Sequence, residues 1–179
     1  MFARLLAVGL LAQFLAPVPV RAAPDSGAQS ASASARTIIL RPITVAATAE
    51  LSFGKLVYAG NGLDGTVILA AKSPSSRVAV RVNLLSNGGD TALIRAITGE
   101  PSRIYRVGLP TSVTTTSGDL LVNAFTLWSS TQGDVSQTRL GAFNAQGSDT
   151  LRLGATLTVP KGTRQGIYAA LVPVTISYE

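Results

Sequence analysis

Hydrophobic and polar positions alternate with a period of two along most of this chain. Ile43, Val45, Ala47, Ala49, Leu51 and Phe53 alternate with Thr44, Ala46, Thr48, Glu50 and Ser52. Such a run over eleven residues predicts a half-buried strand, with a bend near Glu50. Gly54 interrupts it. The turn dipeptides Asn61-Gly62 and Asp64-Gly65 then precede the strand-favouring Thr66-Val67-Ile68-Leu69. Val78, Val80, Val82 and Leu84 alternate again, opposite Arg77, Ala79, Arg81 and Asn83, and Ser86-Asn87-Gly88-Gly89-Asp90 reads as a loop. Residues 92–98 and 104–109 read as strands on either side of Gly99-Glu100-Pro101, and residues 111–116 as a short β-branched strand. Leu120, Val122 and Ala124 alternate with Leu121, Asn123 and Phe125. Residues 129–148, rich in Ser, Thr, Gln and Gly, predict a long loop with one weak strand. Leu151, Leu153, Ala155, Leu157 and Val159 restore a clean alternation that Pro160 ends. The last predicted strand carries Tyr168, Ala170, Val172, Val174, Ile176 and Tyr178 on one face.

No helical periodicity occurs beyond the first residues. Many short strands, with turn signals about every ten residues, predict an all-β fold, an Ig-like antiparallel β-sandwich. No long internal repeat is visible, which argues against a propeller or solenoid.

The beginning of the chain reads differently. Arg4 precedes an apolar run over residues 5–16, twelve residues long and too short for an ordinary membrane span. Pro17 and Pro19 break it, and Val20-Arg21-Ala22 suits a cleavage site. Residues 1–22 are therefore expected to be a signal peptide, giving an exported protein with no membrane span in the mature chain. Residues 23–41 form a flexible extension, and residues 42–179 the domain. The extension begins APDSGAQSASASA, which lacks any bulky apolar residue. Ala31, Ala33 and Ala35 would nevertheless share one face of a strand, and Thr37-Ile38-Ile39-Leu40 is strongly strand-favouring.

The last strand is apolar enough to demand burial. Pro173, on its opposite face, has no backbone N–H, so one edge lacks a regular ladder there. An apolar strand beside a gap predicts a sandwich missing a strand.

Composition narrows the chemistry. The chain has 179 residues and neither His nor Cys. That excludes Ser–His–Asp and Cys–His catalysis, the usual zinc sites, thiol redox chemistry and disulfides. Charged residues make up 13%, against about 25% in an average soluble protein. Without Arg4 and Arg21, 13 basic and 9 acidic residues remain, scattered along the chain, so no nucleic-acid-binding stripe is expected. The acids are dispersed, and no nucleophile elbow, P-loop or dinucleotide fingerprint occurs. We expect no enzyme and no cofactor. Trp128, Phe125 and Tyr105 read either as a sugar-stacking platform or, preferably, as packing residues. Asp64, Asp90 and Asp134 read either as calcium ligands or, preferably, as turn residues.

Tyr178 as the penultimate residue, Gly166 as the fourteenth from the end, and the apolar alternation between them resemble the C-terminal signature of chaperone–usher pilins. A second resemblance spans residues 37–179. Ile43-Thr44-Val45, Leu51-Ser52-Phe53-Gly54, Thr98-Gly99-Glu100-Pro101, Leu109-Pro110-Thr111, Gly154-Ala155-Thr156-Leu157-Thr158-Val159-Pro160 and Gly166-Ile167-Tyr168 look like a bacterial domain family of exported proteins without assigned function. The pilin resemblance implies an Ig-like sandwich missing its last strand. A periplasmic chaperone lends that strand, and the N-terminal extension of a neighbouring subunit then replaces it. Gly166, Tyr168, Ala170, Val172, Val174, Ile176 and Tyr178 would border the groove, with Glu179 offering a carboxylate to the chaperone. The donor strand would use Ile38 and Leu40, or Ala31, Ala33, Ala35 and Ile39; alternatively residues 37–40 belong to the domain's own first strand. The partners implied are a periplasmic chaperone, an outer-membrane usher and neighbouring pilin subunits, with passage through the periplasm to the cell surface. Donor strands usually carry bulky apolar residues at alternating positions; here the first part of the extension offers only Ala, and Ile38, Ile39 and Leu40 sit in three consecutive places. The competing expectation is a self-contained secreted sandwich that binds a surface ligand or carbohydrate.

Overall fold

The computed structural model describes residues 34–58, 62–72, 77–85 and 89–179. The expected signal peptide, Ala31, Ala33, Asn61 and residues 86–88 of the expected loop lie outside the described residues. The chain divides into two units, Met1–Thr37 and Ile38–Glu179. The second holds thirteen strands among its described residues: β1 (Thr44–Ala49), β2 (Leu56–Tyr58), β3 (Gly65–Leu69), β4 (Arg77–Val80), β5 (Val82–Leu84), β6 (Leu93–Thr98), β7 (Ile104–Gly108), β8 (Ser112–Thr114), β9 (Leu121–Ser129), β10 (Gly133–Asp134), β11 (Leu140–Ala142), β12 (Ser148–Val159) and β13 (Thr175–Tyr178). No helix occurs among the described residues. Every ladder is antiparallel, so the expected all-β sandwich class holds.

β12 is the spine. One edge pairs with β6 over its first half and with β3 over its second, while the other edge runs along β9. Its period-two pattern places Leu151, Leu153, Ala155, Leu157 and Val159 in the core at 1–5% exposure. β1 and β4 extend this eight-stranded sheet, and β8 and β10 pair with β9. Two smaller sheets, β11-β7-β13 and β2-β5, contribute to the same hydrophobic core cluster through Tyr105, Val107 and Val82.

Three departures from simple alternation have local causes. Ala124 and Phe125 both face Ala155, a bulge with Ala124 at φ 47°. It moves burial from Leu120 and Val122 to Phe125, Leu127 and Ser129. Arg81, at φ 58°, breaks the expected strand over 77–84 into β4 and β5, which belong to different sheets. Ala79 therefore faces the core while Val78 and Val80 are 58% and 48% exposed. In β1 the register shifts between Ala47 and Ala49. Only Ile43, Leu51 and Phe53, at the ends of the predicted eleven-residue run, pack on the core; Val45 is 52% exposed because β1 is an outermost strand.

Residues 129–148 are more ordered than their composition predicts. They contain β10, β11 and the start of β12. Asn144 organises the turn before β12, its side-chain oxygen accepting from the N–H groups of Gln146 and Ser148.

Candidate functional site

β13 pairs with β7 along one edge, from Thr175 opposite Gly108 to Tyr178 opposite Tyr105. It stands last in its sheet, so its second edge has no ladder among the described residues. The regular ladder is shorter than the predicted strand, and the register shows why. Continued two residues beyond Thr175, it would set Pro173 against Pro110. Neither has an N–H to give, so the ladder stops. Upstream, the Thr116 N–H donates to the Ala169 carbonyl at 2.9 Å.

The alternation survives without the ladder. Tyr168, Ala170, Val172, Val174, Ile176 and Tyr178 are each half-buried, while the residues between them are exposed, with Ile167 at 101% and Leu171 at 86%. Tyr168, Val172, Val174, Ile176 and Tyr178 pack against the core. None is fully buried, whereas the inward residues of β12 are. One apolar face of this segment is thus only partly covered. Gly166 is exposed and marks the start of the stretch. A methyl group there would meet only the Tyr168 ring, at ordinary contact distances of 3.7–4.0 Å.

Tyr178 has a second role that the sequence did not reveal. Its hydroxyl donates to the Arg41 carbonyl at 2.5 Å and accepts from the Glu100 N–H at 2.7 Å. The Glu100 carboxylate accepts in turn from the Arg41 N–H at 3.1 Å. The Tyr178 ring meets Phe143 edge-on at 6.2 Å, and Phe143 meets Tyr105 at 4.8 Å. Gly99 permits this, since a Cβ there would lie 2.7 Å from both the Tyr178 hydroxyl and the Phe143 ring. The Glu179 side chain is engaged by Arg106 through two hydrogen bonds of 2.6 and 2.8 Å. The Arg106 guanidinium holds the Glu179 carboxyl below its ordinary range, on the solvent-exposed surface.

Of the expected donor residues, Ala35 is exposed, Ile38 and Ile39 are 64% and 91% exposed, and Leu40 is half-buried. Residues 37–40 are not part of a strand of their own domain.

A buried polar cluster lies behind Tyr105. Asp149 is 4% exposed. One carboxylate oxygen accepts from the hydroxyls of Tyr105 and Ser129, each at 2.5 Å, and from that of Thr131 at 3.1 Å. The other accepts from the Ser130 hydroxyl and from the N–H groups of Thr131 and Thr150. Burial, then the hydrogen bond to Asp149, push the Tyr105 hydroxyl well above its ordinary value. Parity with Leu151 and Leu153 could have placed Asp149 on the inward face, and the run Ser129-Ser130-Thr131 supplies its donors. The arrangement secures a loop.

The alternative site residues separate in space. Tyr105 and Phe125 are core residues at 0% and 6% exposure, so they form no platform with Trp128, which is half-buried with the Lys72 ammonium 5.1 Å from its ring centre. Asp64 accepts from the Lys161 N–H, Asp90 pairs with Arg77, and Asp134 accepts twice from Ser136. No metal-binding cluster occurs among the described residues.

A family profile described as a domain of unknown function, DUF4402, matches residues 43–178. The chain belongs to this family. No curated protein was found to match it.

Proposed function

We propose that this chain is a structural subunit of a cell-surface pilus or fimbria, exported to the periplasm and completed there by a strand from outside its own domain. One observation carries the reading: the inward face of residues 168–178 is apolar and only partly covered, beside an edge without a ladder among the described residues. An extended segment laid along that edge would pair with its free backbone groups and cover the side chains beneath. This is β-strand addition, in which main-chain bonds give affinity and alternate side chains set the register. A chaperone would supply the strand first, and a neighbouring subunit would replace it after passage through an usher.

The test is recovery. Co-expression with its cognate periplasmic chaperone should raise the yield of soluble chain several-fold over expression alone. Equal yields of folded monomer in both cases would contradict the reading.

A second reading has one observation in its favour. An open cleft of about 330 Å³ on the large sheet is lined by Ile68, Lys72, Ala124, Thr126, Trp128 and Thr156. A self-contained sandwich would bind a small surface ligand there, and the equal-yield result would direct attention to it.

A further inference from the structure

We propose that the cleft on the large sheet binds one pyranose ring of an uncharged saccharide, with Trp128 as the stacking wall and Lys72 and Asp134 as its charged hydrogen-bonding groups. This gives the cleft of the second reading a ligand class, and so rests on it. It is independent of strand completion, since β13 belongs to another sheet.

The sheet makes the cleft by what it leaves out. Ile68 lies opposite Thr156 across the β3–β12 ladder, and Thr126 lies opposite Gly154 across the β9–β12 ladder. A Cβ at Gly154 would sit 2.2 Å from the Leu69 carbonyl oxygen and 2.7 Å from the Thr126 hydroxyl oxygen, so no side chain can stand there. The bulge at Ala124 places a further small residue on the wall. The volume is about 330 Å³, near the lower end of the roughly 300–1,000 Å³ usual for small-molecule sites. That suits one ring rather than a long ligand.

The polar groups are few and largely unspent. Trp128 and Asp134 are direct partners across the β9–β10 ladder, which sets both side chains on one face with Cβ atoms about 5 Å apart. Asp134 Oδ1 accepts from the Ser136 hydroxyl and N–H at 2.6 and 2.9 Å, while Oδ2 has no hydrogen bond among the described residues. Those two bonds, the hydroxyl's first, hold the Asp134 carboxyl below its ordinary value, so it is ionised at neutral pH. The Lys72 ammonium lies 5.1 Å from the Trp128 ring centre and has no carboxylate partner among the described residues. The Thr126 and Thr156 hydroxyls line the same cleft, each able to donate and to accept.

These groups select by charge and by shape. A net anion would meet the Asp134 carboxylate and a net cation the Lys72 ammonium, at a Coulombic cost that grows as water leaves the cleft. A zwitterion would match both, but two full charges of its own must then be desolvated. A neutral ligand that donates to Asp134 and accepts from Lys72 satisfies both groups at less cost. It must also offer an apolar face to the indole, whose negative π-face attracts weakly positive C–H bonds. A pyranose has both features, hydroxyls around its rim and C–H groups on its face. On its flexible stem the Lys72 ammonium can leave the indole for a sugar oxygen as the ring stacks.

Trp128 is the only tryptophan of the chain, so its fluorescence reports from the cleft itself. The purified chain would be titrated with the methyl glycosides of glucose, galactose, mannose and N-acetylglucosamine. Controls would be anionic glucuronate, cationic glucosamine, zwitterionic leucine and open-chain sorbitol. At least one glycoside should give a saturable change, at least tenfold tighter than any control. Asp134→Asn, which keeps an oxygen to accept from Ser136, and Lys72→Gln should each weaken that binding at least tenfold by calorimetry. Both lie on the surface, so the melting temperature should stay within about two degrees. Immobilised oligosaccharides ending in the same sugars separate the sources: binding to these alone would assign the ring to a longer glycan, and equal affinity for the free glycoside would assign it to a single sugar. Tighter binding of glucuronate, glucosamine or leucine would overturn the neutral class and leave the cleft a ligand site. An equal response to sorbitol would overturn recognition of a ring. Glycoside binding unchanged by both substitutions would overturn the cleft as its place. No saturable change with any probe would overturn the inference and the second reading together, leaving strand completion untouched.

Discussion

The Tyr178 hydroxyl donates to the carbonyl oxygen of Arg41 at 2.5 Å, across 137 positions of sequence. This bond ties the last strand to the segment just before β1. The Glu100 N–H, donating to the same hydroxyl, adds the β6–β7 turn. Tyr178 thus stabilises its own domain whatever else reads it.

Tyr178→Phe keeps the ring on Phe143 and removes both hydrogen bonds. It should cost about 1–3 kcal/mol, the usual range for two modest bonds. Urea unfolding of the purified protein would measure this as a lower midpoint with an unchanged slope.

Gly166→Ala separates recognition from folding. The structure requires no glycine there, since the added methyl meets only the Tyr168 ring at van der Waals distance. The melting temperature of the purified protein should stay within about a degree, an effect of a few tenths of a kcal/mol at most. If a chaperone reads this position, periplasmic yield should fall all the same. Unchanged yield would remove Gly166 from the recognition set.

Asp149→Ala should be the most damaging of these substitutions. It strands the Tyr105 and Ser129 hydroxyls in the core and loosens the 129–131 loop. A loss of about 3–5 kcal/mol is expected for breaking a buried, charge-assisted network. Differential scanning calorimetry should show a shift of many degrees, or no cooperative transition.

Alkali gives a signed prediction. The Tyr105 hydroxyl titrates higher in the folded protein than in the unfolded chain, first because it is buried and then because it donates to Asp149. Above pH ~10, the ordinary tyrosine value, the unfolded state loses this proton while the folded state keeps it. Stability contributed by this group is therefore complete below pH ~10 and is lost progressively as pH rises further. Tyr105→Phe should flatten that part of the stability–pH curve while lowering stability near neutrality.

Most strands were legible because one residue in two is apolar wherever a strand faces the core. β12 is the clearest case, with Leu151 to Val159 read in the correct phase. The failures lie where the backbone changes phase. Ala124 and Arg81 adopt positive φ without being glycine, so nothing in residue type announced the bulge or the sheet crossing. β10 and β11 are two and three residues long, too short for any period to emerge. At the candidate site, the inward set from Tyr168 to Tyr178 was visible as alternation, and Pro173 announced an interrupted ladder. The part played by Pro110 was not visible, because it depends on the register with β7. Nor was the Arg41–Glu100–Tyr178 cluster, whose members meet only after folding.

The most direct test of strand completion is a denaturing gel of chain recovered from the cell surface, loaded with and without boiling in SDS. Subunits joined by inserted strands should run as a regular ladder when unboiled and collapse to one monomer band after boiling. A single monomer band under both conditions, from protein that folds without any chaperone, would contradict it.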